Sequence, residues 1–430
     1  MKPLLKLTNN LRAELSGLPR NMRLFLINVL AYGATVEGIS AVLLNLYLLR
    51  LGYGTEFIGT INSAGLFIFA LVSLPIGAVQ RFSSRQMMQF GQVMSLIGIL
   101  GIPLAYYITE GQAALLIGSR ILAMVGLSAY FVHQIPFAMD ITKPAWHNKA
   151  LSITMAVFSL AAFLGSWFGG LLPQLFGNLL NLPLTDARPY QMPMFLASVL
   201  ILPAMMAIRL IPNQLTPEAN DEEKAEETAT GITVNWRHLV GLVAVILVVR
   251  MFQTAGVGVV NTFSNVYFDD ALSVPTSQIG FISGLGRLLG VPMSLIIPWL
   301  ITRYDNFKLV HISLGLIVLL ILPMALIPYW PIAALALISI NSMGSLRYLS
   351  FVGFTMSLVS DKQRSLMSGA GEMAIGGGFA VSSFIGGYLI AWYGYRELFL
   401  FGASMTVIGA VAFWLIFRGR ARKLTAVPAH

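Results

Sequence analysis

The sequence predicts an all-α membrane protein of twelve helices arranged as two related halves, and three observations carry that prediction. Hydrophobic residues make up 57% of the 430 positions and charged residues only 10%, against roughly 25% charged in a soluble domain. Apolar runs of about 20 residues recur between short polar breaks, the length a helix needs to cross a bilayer core. One long polar segment, 212–236, interrupts this pattern near the midpoint and leaves hydrophobic blocks of similar length on either side.

In chain order, residues 1–23 form a basic tail carrying Lys2, Lys6, Arg12, Arg20 and Arg23. The first half, 24–211, holds expected spans at 24–49, 56–79, 87–108, 112–139, 149–176 and 194–211. The segment 212–236 contains Glu218, Asp221, Glu222, Glu223, Glu226 and Glu227. It has too little apolar surface to offset the entropy of ordering it, which makes it a solvated linker. The second half, 237–417, holds spans at 238–268, 277–301, 309–328, 331–359, 365–392 and 397–417. A basic tail, 418–430, follows.

The net charge of +9 does not point to nucleic acid, because of where the basic residues lie. With the N-terminus inside, only Arg50, Arg188 and Arg396 fall in outer loops, and Arg120, Arg250, Arg287 and Arg347 fall within spans. The other 20 of the 27 Lys and Arg lie in tails and inner loops. This asymmetry orients both termini to the cytoplasm. The first apolar segment is too long for a signal-peptide core and lacks a small-residue cleavage site. There is no cysteine, hence no disulfide or thiol chemistry. The five histidines lack metal-site spacing, and Gly284-Leu-Gly286-Arg-Leu-Leu-Gly290 lacks the phosphate-loop pattern. No enzyme, metal or cofactor is expected.

The halves look like copies. Asn45-Leu-Tyr47 corresponds to Asn265-Val-Tyr267, Ile58-Gly59 to Ile279-Gly280, and Arg81-Phe82 to Arg303-Tyr304. Asp140 corresponds to Asp361, Gly169-Gly170 to Gly386-Gly387, and Phe176-Gly177 to Tyr393-Gly394. The offsets stay between 217 and 222, as an internal duplication requires and as transporter folds show.

Three motifs then resemble the major facilitator superfamily. Gly77-Ala-Val-Gln80-Arg81-Phe-Ser-Ser-Arg85 is similar to the family's loop between helices 2 and 3, with Gly77, Arg81 and Arg85 in place and Gln80 where an acid is usual. Arg120 followed by Gly126 resembles the arginine motif of helix 4. Gly165-Ser-Trp-Phe-Gly169-Gly170 resembles the antiporter motif of helix 5, with Ser166 replacing proline. The resemblance implies twelve helices in two pseudo-symmetric bundles that alternately open to each side. It also implies that the loop basic residues help latch the halves together; the absence of the acid at Gln80 bears on that latch.

Charges inside a bilayer are rare and need a partner or a wet cavity. Glu37 shares a small, polar stripe with Gly33, Ser40, Ala41 and Asn45, which points it into the bundle. It is either a proton carrier or one end of a fixed pair with Arg120. Arg120 either tunes that acid or satisfies carbonyls. His133 sits on a different face from Arg120 and is either packed or a relay. Glu37, Arg120 and His133 are the proton-coupling candidates.

Arg250, Gln253, Thr254, Asn261 and Asn265 align on one stripe of the seventh span and form the expected solute-facing wall. Arg287, among Gly280, Ser283, Gly284, Gly290 and Ser294, reads as a packing position. Arg347 and Glu372 lie at similar depths on the tenth and eleventh spans, which makes them a candidate gating ion pair, with Arg347 also a candidate solute ligand. The arginine excess in the second half favours a carboxylate, phosphate or zwitterion.

The expected activity is therefore secondary transport of a small organic solute with an anionic or amphipathic group, coupled to protons. The protein would be a monomer in a bacterial-type cytoplasmic membrane, with lipid its other partner. Multidrug efflux is the nearest alternative; a lipid flippase or a non-transporting sensor on the same fold is the alternative of another class.

Overall fold

The computed structural model describes residues 19–79, 81–143, 146–212, 236–359 and 364–425. Within them twelve helical elements succeed one another and no strand occurs. The first half comprises α1 (Arg20–Arg50), α2 (Thr55–Ala78), α3 (Ser84–Leu104), α4 (Gln112–Asp140), α5 (His147–Leu180) and α6 (Arg188–Arg209). The second comprises α7 (Trp236–Val266), α8 (Thr276–Arg303), α9 (Asn306–Leu326), α10 (Trp330–Met356), α11 (Arg364–Tyr393) and α12 (Tyr395–Thr425). Eleven of these are long and apolar enough to cross a membrane, and α8 spans 28 residues. Gln80, Asp361, most of the acidic linker and both tail ends lie outside the described residues.

Two departures from the sequence reading are local. α6 begins at Arg188 rather than near 194, because Asp186 accepts a hydrogen bond from the Arg188 backbone and Pro189 occupies the first turn, where a missing N–H does no harm. Neither α1 nor α10 is a uninterrupted α-helix. Ala34–Ser40 of α1 winds as a π-helical turn, and α10 breaks at Met343 between Trp330–Ser342 and Gly344–Met356.

The duplication is visible in the atoms. Ser83 caps α3 and Asp305, 222 positions later, caps α9; each accepts the backbone N–H three residues on. An even number of helices places Arg20 and Thr425 at one end. At the opposite, distal end the halves meet in reciprocal contacts. Asn45 donates to the carbonyl of Thr262 (2.7 Å), and Asn265 donates to the carbonyls of Ala41 and Val42 (3.4 Å each). Each asparagine oxygen is held from its own half, Asn45 by Asn62 (2.8 Å) and Asn265 by Ser283 (2.9 Å). Asn62 and Ser283 are themselves 221 apart.

Helix crossings repeat the pattern. A Cβ on Gly59 of α2 would lie 2.5 Å from the Ser383 carbonyl of α11, and one on Gly170 of α5 would lie 2.6 Å from the Thr276 carbonyl of α8. Only glycine permits such backbone approach. A bidentate Arg50–Asp269 pair at 2.8 Å joins the ends of α1 and α7. Arg50 also donates to the Leu184 carbonyl (2.8 Å), and Tyr190 bonds Thr276 at 3.1 Å. The distal end is sealed.

Candidate functional site

Glu37 sits about 25 Å along α1 from Arg20 and about 20 Å from Arg50, at 1.5 Å per residue. Its turn is the π-helical one, a distortion frequent at functional sites. The local cause is packing on α5: a Cβ on Gly38 would lie 2.5 Å from the Gly165 Cα. The glycines of the helix 5 motif thus let α5 press against α1, while Gly170 meets α8. Aromatic rings of Phe163, Trp167 and Phe281 line the α5–α8 contact.

The partner of Glu37 is Arg287 of α8. Its Nη1 lies 2.9 Å from the Glu37 Oε2, and it also donates to the Glu37 backbone carbonyl. Both side chains remain 30% exposed, so the pair is not enclosed. Arg287 was expected as a packing residue and Arg120 as the alternative partner of Glu37; the geometry differs. Arg120 of α4 donates to Asn62 of α2 at 3.2 Å. It lies within electrostatic reach of Glu37 without a direct ion pair. Its aliphatic stem lies against α2 where Gly65 leaves room, 3.0 Å from where a Cβ would be. Through Asn62, Arg120 joins the Asn45 contact between the halves. At the repeat offset of 221, Glu37 corresponds to Gly258 and Arg287 to Leu66. The pair has no mirror image.

His133 is buried and its Nδ1 contacts the Ala129 carbonyl of its own helix at 3.1 Å. It is not brought to Glu37. In the loop motif, Arg85 donates to the carbonyl of Arg209 at the end of α6, within the same half (2.8 Å), and Arg81 is exposed. Gly77 packs beside Val132. Gln80 lies outside the described residues.

In the second half the α7 stripe is divided among neighbours. Gln253 donates to the Gly409 carbonyl of α12 (3.5 Å), and Thr254 bonds the carbonyls of Arg250 and Met251, facing Gly378 of α11. Asn261 is exposed, and Asn265 reaches α1. Arg250 faces a cavity, shared with Tyr348, Phe351, Met356, Met367 and Glu372. Its guanidinium stacks on Phe351 at 3.8 Å.

Arg347 and Glu372 form no ion pair. Glu372 accepts from the Tyr348 hydroxyl at 2.7 Å. Neighbouring residues on a helix point about 100° apart, so when Tyr348 faces α11, Arg347 cannot. Equal depth did not mean a shared face. All three nitrogens of Arg250, and Nε and Nη1 of Arg347, are buried without a hydrogen-bond partner among the described residues. Each such donor costs about 1–3 kcal/mol. No set of His, Asp and Glu able to hold a metal occurs among the described residues.

This architecture has known counterparts. A solved nucleoside transporter, NupG, superposes with a TM-score of 0.71 over 93% of this chain and 99% of its own, at 15% identity. A D-xylose–proton symporter gives 0.70 over 92% and 96%, at 13% identity. A bacterial homologue of the iron transporter ferroportin, in an inward-facing state, gives 0.70 over 92% and 98%, at 12% identity. In sequence, the multidrug resistance protein MdtG of Proteus mirabilis (strain HI4320) is 23% identical over 371 residues, covering 83% of this chain and 85% of that protein. The family model of the Major Facilitator Superfamily matches residues 24–360. With twelve helices in two reciprocal halves and that match over most of its length, the chain belongs to the Major Facilitator Superfamily.

Proposed function

We propose that this chain is a proton-coupled secondary transporter that moves an organic solute with an anionic or amphipathic group across the cytoplasmic membrane, with Glu37 as the coupling acid. The observation that supports this reading is the Glu37–Arg287 pair, which joins the halves at mid-depth, stays partly exposed and breaks the repeat. With Glu37 ionised, Arg287 is neutralised and the halves are held. Protonating Glu37 removes that tie and frees a cation that can take an anionic group. Proton uptake and solute binding then favour each other, and their joint release resets the pair. Arg120, bonded to Asn62, is a second fixed cation within electrostatic reach of Glu37. The protein works as a monomer with both termini in the cytoplasm, as the basic loops favour.

The test needs no known solute. Spin labels across the distal end, read by pulsed dipolar spectroscopy between pH 5 and 8, should show a pH-dependent closed-to-open ratio. Glu37→Gln should flatten that dependence; an unchanged titration curve removes Glu37 from coupling. Efflux of lipophilic drugs is the second reading, favoured by the aromatic α5–α8 contact and the likeness to MdtG. Proton-driven accumulation of ethidium in inverted vesicles would select it.

A further inference from the structure

A chain of hydrogen bonds runs from inside the first half to the distal seal, and its two ends fix its direction. Arg120 of α4 donates to the Asn62 Oδ1 of α2 (3.2 Å), and the Asn62 Nδ2 donates to the Asn45 Oδ1 of α1 (2.8 Å). The Asn45 Nδ2 then donates to the Thr262 carbonyl of α7 (2.7 Å). A guanidinium has only donors, and a backbone carbonyl only accepts. Asn62 must therefore turn its oxygen to Arg120, which leaves its nitrogen for Asn45. Asn45 must then give its oxygen to Asn62, and its nitrogen is left to face the other half. Reversing Asn45 would set its oxygen against the Thr262 carbonyl. Both asparagines are only 6% exposed, so water does not readily replace a lost partner.

The Ile58 carbonyl accepts from Asn62 as well (2.9 Å) and supports the same sense from within α2. Arg120 is the donor to the Asn62 oxygen, and it comes from another helix. Behind the twin lock the second half is built differently. There the Asn265 oxygen is held by the Ser283 hydroxyl, a group that can turn to donate or accept. At the offset of 221, Arg120 corresponds to Asn341 and Gly65 to Gly286. The slot itself is repeated: a Cβ on Gly65 would stand 3.2 Å from the Arg120 Nε, and one on Gly286 would stand 3.3 Å from the Asn341 Nδ2. The first half fills this slot with a cation and the second with a neutral amide. A charged donor also strengthens the bonds further along such a chain.

We infer that Arg120 is a positioning residue for the distal seal: through Asn62 it sets the donor sense of Asn45 and so holds the Asn45–Thr262 bond between the halves. The lock around Asn265 does not depend on it. This role is separate from the coupling proposed for Glu37, since it needs the Arg120 donor and the two amides but no change of protonation.

The experiment uses the full chain in lipid nanodiscs at fixed neutral pH, with distal spin labels reporting the ratio of sealed to open forms. Arg120→Met should lower that ratio about 5-fold, the worth of one hydrogen bond. Arg120→Lys, still a donor only, should recover most of the loss. In an Asn45→Ala background Arg120→Met should have no further effect, whereas in an Asn265→Ala background it should keep its full effect. Asn62→Asp, which accepts from Arg120 but offers Asn45 only oxygen, should lower the ratio at least as much as Arg120→Met. If Arg120→Met does not fold, Asn62→Asp carries the same test in the same two backgrounds. An effect that survives Asn45→Ala overturns the inference, because it must then travel through Glu37 or general packing. An unchanged ratio in Arg120→Met or in Asn62→Asp overturns it too, as does an effect lost in Asn265→Ala.

Discussion

The distal end and the mid-membrane interior follow opposite rules. At the distal end the asparagine contacts and the glycine crossings come in twins, while the Arg50–Asp269 pair stands alone. Asn45 and Asn265 reach across to each other's helices, Asn62 and Ser283 brace them, and the α2–α11 and α5–α8 crossings exchange the same glycines and carbonyls. In the interior the charged residues have no twins, since Gly258 and Leu66 stand where Glu37 and Arg287 would repeat. A closing surface benefits from symmetry, because two halves that rock about one axis must meet equally on both sides of it. Recognition and coupling need a single polar event per cycle, which symmetry would duplicate. The duplicated scaffold supplies the motion, and the departures from duplication supply the selectivity.

The symmetric side of this comparison breaks hardest at its glycines. Gly59→Leu and Gly280→Leu should each disfavour the sealed form by about 3 kcal/mol, the upper range for overpacking, and by the same amount within error. Distal spin-label distances check this, and unequal effects would show that the two crossings do not act as a pair. Next in size, Asp269→Asn should shift the ratio of sealed to open forms by about 2 kcal/mol, since it strands a partly buried Arg50. The same labels should report roughly a 30-fold change in that ratio. Asn45→Ala and Asn265→Ala should each cost about 1 kcal/mol, measured as denaturation midpoints of the reconstituted protein. A markedly larger loss for Asn45 would mean that its link through Asn62 to Arg120 outweighs its twin role.

The smallest effect belongs to an asymmetric surface pair. The hydrogen bond from Arg188 holds the Asp186 carboxyl below the usual carboxylate range. Its contribution is therefore present at neutral pH and fades only as pH falls through that lowered value. The pair is solvent-exposed, so Asp186→Asn should change the neutral-pH unfolding temperature by less than a degree or two.

Much of the fold was legible because bilayer helices must satisfy their own backbone and stay apolar over a fixed length. The duplication was legible because Asn45, Gly59 and Gly170 recur at offsets between 217 and 221, and each of them turns out to make a contact between the halves. Pairing inside the bundle was less so. Depth was readable: Glu37 lies 13 residues before the distal end of α1 and Arg287 lies 11 after the distal start of α8. That match would have suggested them as partners. The same depth argument suggested Arg347 and Glu372, which do not meet because helical phase turns Tyr348 toward α11 instead. Depth needs phase as well, and the break at Met343 and the π-helical turn at Ala34–Ser40 shift phase in ways that no residue spacing announces.

The glycine crossings carry a consequence for the speed of the cycle. Where Gly59 meets Gly387 and Gly170 meets Gly280, the touching surfaces are backbone with no rotamers to rearrange. Two smooth rails can roll on one another without first prising apart interlocked side chains. The barrier to reopening should then sit in the handful of polar latches around Asn45, Asn265 and Arg50, which makes the exchange rate between forms tunable one hydrogen bond at a time.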